Sequence, residues 1–197
     1  MRAKALMGIG WGLAMMAAPL AAEDLGSAPG FEARSVTYLE GEDPQKATRV
    51  YMAPEGRRLE GVPPHGLVLV SPADAEKRWF VDEGNKRYAV DASVSKGGSL
   101  GSLLSHQPCK GFARSEKLGE VSLNGRDTVK WECRHPNYSK AVQWFDPGIN
   151  TVIRDRTEQG KVQELRQIQV GSQNAEKFTF EPPEGYERVP IMQLFQR

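Results

Sequence analysis

No charge of either sign dominates this sequence: 26 Lys and Arg stand against 25 Asp and Glu, a net of +1 over 197 residues. Without a basic excess, nucleic acid is not an expected partner. Cysteine occurs only twice and histidine three times, too few cysteines for a multi-cysteine secreted scaffold. Phosphate-cradling and zinc-hydrolase signatures (G-x-x-x-x-G-K-S/T, H-E-x-x-H) are missing. Ser93-Val94-Ser95-Lys96 fits the S-x-x-K of penicillin-recognising enzymes, but the S-D-N and K-T-G elements that work with it do not occur. The expectation is a protein without catalysis and without a cofactor. Beyond residue 22, no apolar run is long enough to span a bilayer.

What is present begins with an export signal. Arg2 and Lys4 precede the uncharged stretch Ala5 to Ala22, broken by Pro19 and closed by Leu20-Ala21-Ala22, with Glu23 and Asp24 following at once. Charged start, apolar middle and small-residue end are the marks of a cleaved secretory signal. The expected organisation is a signal peptide at 1–22 and one domain at 23–197, a soluble periplasmic protein. Losing Arg2 and Lys4 takes the basic count from 26 to 24 against 25 acids, a net of −1.

The rest is dense in short strand signals separated by turns. Phe31 to Glu40, Thr48 to Met52, Arg57 to Val62, Leu67 to Val70, Trp79 to Val81 and Arg87 to Val90 read as strands. Glu120 to Leu123 and Asp127 to Glu132 flank Asn124-Gly125, a strong hairpin signal. Ala141 to Phe145 and Asn150 to Arg156 flank Asp146-Pro147-Gly148. Val162 to Val170 follows as a strand with an irregularity, because Val162, Leu165 and Ile168 break simple alternation. Pro182-Pro183-Glu184-Gly185-Tyr186 is a rigid closing loop. Short strands joined by tight turns imply a mainly β, antiparallel sheet, curved into an open or closed barrel. In the middle, Ser99 is placed to cap a short helix with Leu100, Leu103 and Leu104 on its apolar face, next to the Gly/Ser-rich Lys96 to Gly101.

Three stretches in this order resemble periplasmic proteins of the LolA/LolB lipoprotein-carrier superfamily. The first runs from Leu118-Gly119-Glu120 through Asn124-Gly125-Arg126 to Val129-Lys130-Trp131-Glu132. The second is Val142-Gln143-Trp144-Phe145-Asp146 with Thr151-Val152-Ile153-Arg154. The third is Ile168-Gln169-Val170-Gly171, then Phe178 or Phe180 ahead of Pro182 to Tyr186. The likeness spans about residues 31–190. It implies an unclosed antiparallel half-barrel with a short helix or two in its mouth, whose concave apolar face holds acyl chains of lipids or lipoproteins. Glu23 to Gly30 cannot form the amphipathic helix with which those carriers open, so Leu100, Leu103 and Leu104 are the candidate plug or gate. Trp79, Trp131 and Trp144 lie on expected strands, either as cavity walls or as plain core. The alternative role is an envelope protein-interaction module with a self-filled core.

Cys109 and Cys133 carry three readings. An even count in an exported chain favours one disulfide, closing a loop of 25 residues. His106 and His135, beside the two cysteines, allow a zinc or copper tetrad. Two free thiols are the third.

Overall fold

A computed structural model describes residues 28–44, 47–73, 77–92, 102–135 and 139–196. The expected leader, Leu100 and Lys96 to Gly101 lie outside them. Twelve strands form one sheet in the order β12-β6-β5-β4-β3-β2-β1-β11-β10-β9-β8-β7. The elements are β1 (Phe31–Leu39), β2 (Thr48–Ala53), β3 (Gly56–Val62), β4 (Leu67–Pro72), β5 (Arg78–Asp82), β6 (Arg87–Asp91), β7 (Arg114–Leu123), β8 (Arg126–Arg134), β9 (Lys140–Asp146), β10 (Thr151–Thr157), β11 (Lys161–Val170), a 3-10 turn (Ala175–Phe178), β12 (Glu187–Arg188) and the one-turn helix α1 (Ile191–Leu194). Neighbours are antiparallel except β12, which runs parallel to β6. β7 and β12 do not pair, so the sheet stays open, as expected for a half-barrel. No helix among the described residues is long and apolar enough to cross a membrane.

Turn chemistry sets the register. Asn124 and Gly125 have φ of 53° and 76°, the two left-handed residues that a mirror-image hairpin turn requires. At the β2–β3 turn Gly56 has φ of 151°, and a Cβ there would lie 2.6 Å from the Ser71 carbonyl oxygen of β4. Only glycine fits. The irregularity expected in β11 is a bulge: Glu32 pairs with Gln169 but Arg34 with Arg166, and Gln167 has φ of 52°.

One face of the sheet carries the main core, and we call it the inner face. Alternation puts Phe31 and Ala33 of β1, Val50 and Met52 of β2, Leu59 of β3, Leu67 and Leu69 of β4, Phe80 of β5, Ala89 of β6 and Leu165 of β11 there. Two long connections decide what covers each face. β6 and β7 stand at opposite ends of the eleven antiparallel strands, so the chain between them must pass from one end of the sheet to the other. Its described part, from Ser102 on, lies on the inner face, where Leu103 and Leu104 join the core. From β11 to β12 the chain must travel from mid-sheet to the β6 edge, and it crosses the outer face. There Phe180 and Tyr186 pack on Val68, Val70, Trp79, Val81 and Tyr88. After pairing with β6, the chain returns to the inner face, where Val189, Leu194 and Phe195 pack with the main core. The C-terminal segment therefore clasps the β6 edge from both sides.

Three sequence expectations need correction. The helix expected around Leu100, Leu103 and Leu104 does not continue through the described part. Residues 103–104 form a turn, and Leu104 has φ of 67°, which ends any right-handed helix. The reason is backbone pairing: Leu104 N–H donates to Val152 O (3.1 Å) and Val152 N–H to Ser105 O (2.8 Å). β7 begins at Arg114, six residues before the expected start. The closing loop is followed by β12 and α1, which the proline-rich pattern does not announce.

Candidate functional site

The inner face carries a cavity of about 400 Å³ at the end where β1, β2 and β3 meet the crossing segment. That volume falls within the roughly 300–1,000 Å³ typical of small-molecule sites. Strand alternation supplies one wall: Ser35 and Thr37 of β1, Thr48 of β2 and Gln163 of β11. Thr37 stands directly opposite Gln163, and Ser35 opposite Thr48, so the polar atoms form a patch. Leu59, Val62, Leu103 and Leu104 supply the apolar wall. The lining described here carries neither a carboxylate nor a cation.

The crossing segment that brings Leu103 and Leu104 to the cavity is held at several points. Cys109 and Cys133 are bonded, with Cα atoms 5.2 Å apart, which fastens the segment to β8. The bond consumes both sulfurs, removing the thiolates that a metal tetrad needs. His106 Nδ1 meets the Asn150 carbonyl at 2.8 Å. Among the described residues no group of three or more metal-ligating side chains converges. Cys109 N–H donates to Gln143 Oε1 (2.7 Å), and Gln143 Nε2 donates to Asp155 Oδ2 (2.8 Å). Gln143 and Asp155 are both buried, and Asp155 stands opposite Gln163 of the cavity wall. A cross-strand polar row thus runs Thr37–Gln163–Asp155–Gln143 into the pinned segment. Nothing in the one-dimensional pattern marks Gln143 or Asp155, because their partners lie on other strands.

The three tryptophans sit elsewhere. Trp79 packs in the outer cluster, with Lys77 Nζ 5.2 Å from its ring centroid. Trp131 packs with Phe112, Ala141 and the disulfide, its indole N–H buried without a partner. Trp144 lies between Lys130 (5.3 Å) and Arg154 (4.8 Å) on the outer face. None of them is among the residues lining the cavity, because alternation or the crossing segment directs each to another contact. One further pattern in the sequence, Gly97-Gly98-Ser99-Leu100-Gly101, matches the spacing of a nucleophile elbow. Such an elbow requires a helix immediately after the serine. Gly97 to Gly101 lie outside the described residues, and the residues from 102 to 110 form no helix.

The main charged cluster lies on the outer face, not in the cavity. Glu164 accepts from Tyr38 Oη (2.7 Å), Asn124 Nδ2 (2.8 Å) and Arg166 Nε (3.0 Å). Burial pushes its carboxyl up, but these hydrogen bonds and the Arg166 charge outweigh it and hold the pKa below the usual value. The Tyr38 hydroxyl moves the other way: burial raises it, and donation to Glu164 adds to the rise.

No protein-family model and no curated protein matches the chain. Solved structures do. An uncharacterized conserved protein from Thermus thermophilus is 13% identical, over 83% of this chain and 91% of that one, with a TM-score of 0.54. MucB is 11% identical over 78% of this chain, with a TM-score of 0.51, and the chain spans 57% of its length. A LolA superfamily protein, NE2245 from Nitrosomonas europaea, aligns at 10% identity over 78% of this chain and 90% of that one, with a TM-score of 0.33. The fold, an open antiparallel sheet, is shared with the Thermus protein and with MucB. The likeness read from the three sequence stretches is thereby met at the level of the open antiparallel sheet.

Proposed function

We propose that this protein is an exported, non-catalytic binding protein whose inner-face cavity takes the acyl chain of a lipid or other single-chain amphiphile. The observation that carries the reading is the two-sided lining. Leu59, Val62, Leu103 and Leu104 offer burial worth roughly 25 cal/mol per Å² of apolar surface. Ser35, Thr37, Thr48 and Gln163 offer hydrogen bonds to the polar end of the same molecule. Export is supported by the leader-like residues 1–22 and is checked by N-terminal sequencing of the secreted protein, which should begin at Glu23. The acyl-chain reading also draws support from the likeness to lipoprotein carriers.

The test is titration of a fluorescent fatty acid into the purified mature protein and into a Thr37→Trp variant. Saturable uptake by the wild type, at least tenfold weaker in a folded Thr37→Trp protein, is the expected result. A second reading, a protein-interaction module in the envelope, has its own support. Much of the inner face is filled by Leu103, Leu104, Val189 and Leu194 of this chain. Absence of uptake of any acyl ligand by the wild type would favour that second reading.

A further inference from the structure

Strand register sets three arginines side by side on the outer face. Arg34 of β1 stands directly opposite Arg49 of β2 and directly opposite Arg166 of β11. Strands lie roughly 4.7–4.9 Å apart, so the row spans about 10 Å. Like charges placed directly opposite destabilise a sheet, and a local rule broken without a structural gain is a mark of function. The flanking side chains turn away from the centre. Arg49 leans to Glu32 (3.7 Å), Glu60 (4.0 Å) and the Tyr51 hydroxyl (3.3 Å). Arg166 leans to Glu164 (3.0 Å) and lies 5.3 Å from the Tyr38 ring centroid. Arg34 stays exposed between them, and among the described residues it has no carboxylate within ion-pair distance. The row lies on the same three strands as the cavity wall, on the opposite side, because Arg34, Arg49 and Arg166 alternate with Ser35, Thr48 and Leu165.

We propose that the Arg49–Arg34–Arg166 row docks the protein on the phosphate groups of an anionic lipid surface. Charge complementarity points to an anion, and guanidinium matches phosphate oxygens two at a time. The geometry points to a surface. A free phosphate needs donors from several sides, whereas this row offers a single line on an open sheet face. A peptide laid on that face would find the strand N–H and C=O groups already used within the sheet. Headgroups present a layer of anions that an open line of cations meets without a groove. The inference does not depend on the cavity holding an acyl chain.

The experiment is co-sedimentation of the mature protein with phosphatidylcholine vesicles, with and without phosphatidylglycerol, at low ionic strength. Wild-type protein should bind the phosphatidylglycerol vesicles and leave the neutral ones. Each cation removed from an anionic surface should cost about fivefold in affinity, so Arg34→Gln should lose about fivefold and Arg34→Glu about 25-fold. Binding should vanish near 1 M salt, where the screening length falls to about 3 Å. Because Arg34 is exposed and sits between like charges, both variants should melt no lower than the wild type, which separates docking from folding. Equal binding to both vesicle types would overturn the proposal. So would unchanged binding by a folded Arg34→Glu protein, or tighter binding to a poly-glutamate peptide than to the vesicles.

Discussion

Removing the Cys109–Cys133 bond tests how the inner face is held together. The bond links residues 24 apart, and the chain-entropy model assigns such a loop about 3–4 kcal/mol, acting through the unfolded state. The native contacts of the segment are largely independent of it. Leu103 and Leu104 are 5% and 4% exposed, Cys109 N–H remains bonded to Gln143, and Leu104, Ser105 and Val152 share two backbone hydrogen bonds. The reduced protein should therefore keep its native inner face while losing stability. For a chain of this size one kcal/mol moves the melting temperature by about 2–4 °C, so the loss should be about 6–16 °C. Calorimetry of the wild type with and without a thiol reductant measures it without opening a cavity. A Cys109→Ala/Cys133→Ala variant should fall slightly further, since two buried sulfurs leave space behind. Hydrogen exchange at the Leu104 and Val152 amides supplies the second readout, and protection should persist on reduction. A melting shift under about 3 °C would refute the entropic estimate. Loss of protection at those two amides under native conditions would show that the bond, not the packing, holds the segment.

Five further outcomes are expected. The Glu164 pKa is lower in the folded protein, so its contribution is complete above the unfolded carboxylate pKa and lost as pH falls through the folded value; Glu164→Gln should flatten the acid limb of a stability–pH curve. The raised Tyr38 pKa makes its contribution complete below the unfolded pKa of about 10 and lost as pH rises beyond it; Tyr38→Phe should remove that alkaline loss in urea titrations. Phe178, 1% exposed, should cost about 3–5 kcal/mol on replacement by Ala, measured by the same titrations. Ser99→Ala should leave fatty-acid uptake unchanged, and wild-type protein should not hydrolyse a nitrophenyl ester.

The strands were legible where turn chemistry and alternation agree. Asn124-Gly125 announces its hairpin because two left-handed residues are needed there, and both have positive φ. β1 through β6 show their inner residues at every second position, while β4 is apolar at four successive residues because both its faces are covered. β7 was only partly legible because it is an edge strand with both faces largely open: Arg114 to Leu118 are all exposed, and no apolar alternation records their pairing. β12 is two residues long and gains its place from the β6 edge, not from its own composition. Leu103 and Leu104 were recognisable as an apolar pair, but not as a turn, because the bonds fixing their backbone come from Val152 of β10.

The order of the sheet explains why the cavity lies where it does. β2 to β6 present an almost wholly apolar inner face, closed by Val189, Leu194 and Phe195 of the returning C-terminus. On the other side, Gln143 of β9, Asp155 of β10 and Gln163 of β11 place a polar row on the inner face beside Ile153 and Leu165. A buried carboxylate and amide there need partners, and the segment around Cys109 provides one in its backbone N–H. The crossing segment must therefore satisfy the polar half with its backbone and the apolar half with Leu103 and Leu104. Space is left at the seam, where neither type of contact fills it. An amphiphile has the same two-part chemistry, with methylenes for Leu59 and Val62 and a polar end for Thr37 and Gln163. The sharpest check of this seam is Gln163→Leu. It removes the polar end of the proposed site while keeping its volume. Uptake of an alkane-like probe should hold or rise while uptake of the fluorescent fatty acid falls several-fold. Equal changes for both probes would show that the polar wall takes no part in binding.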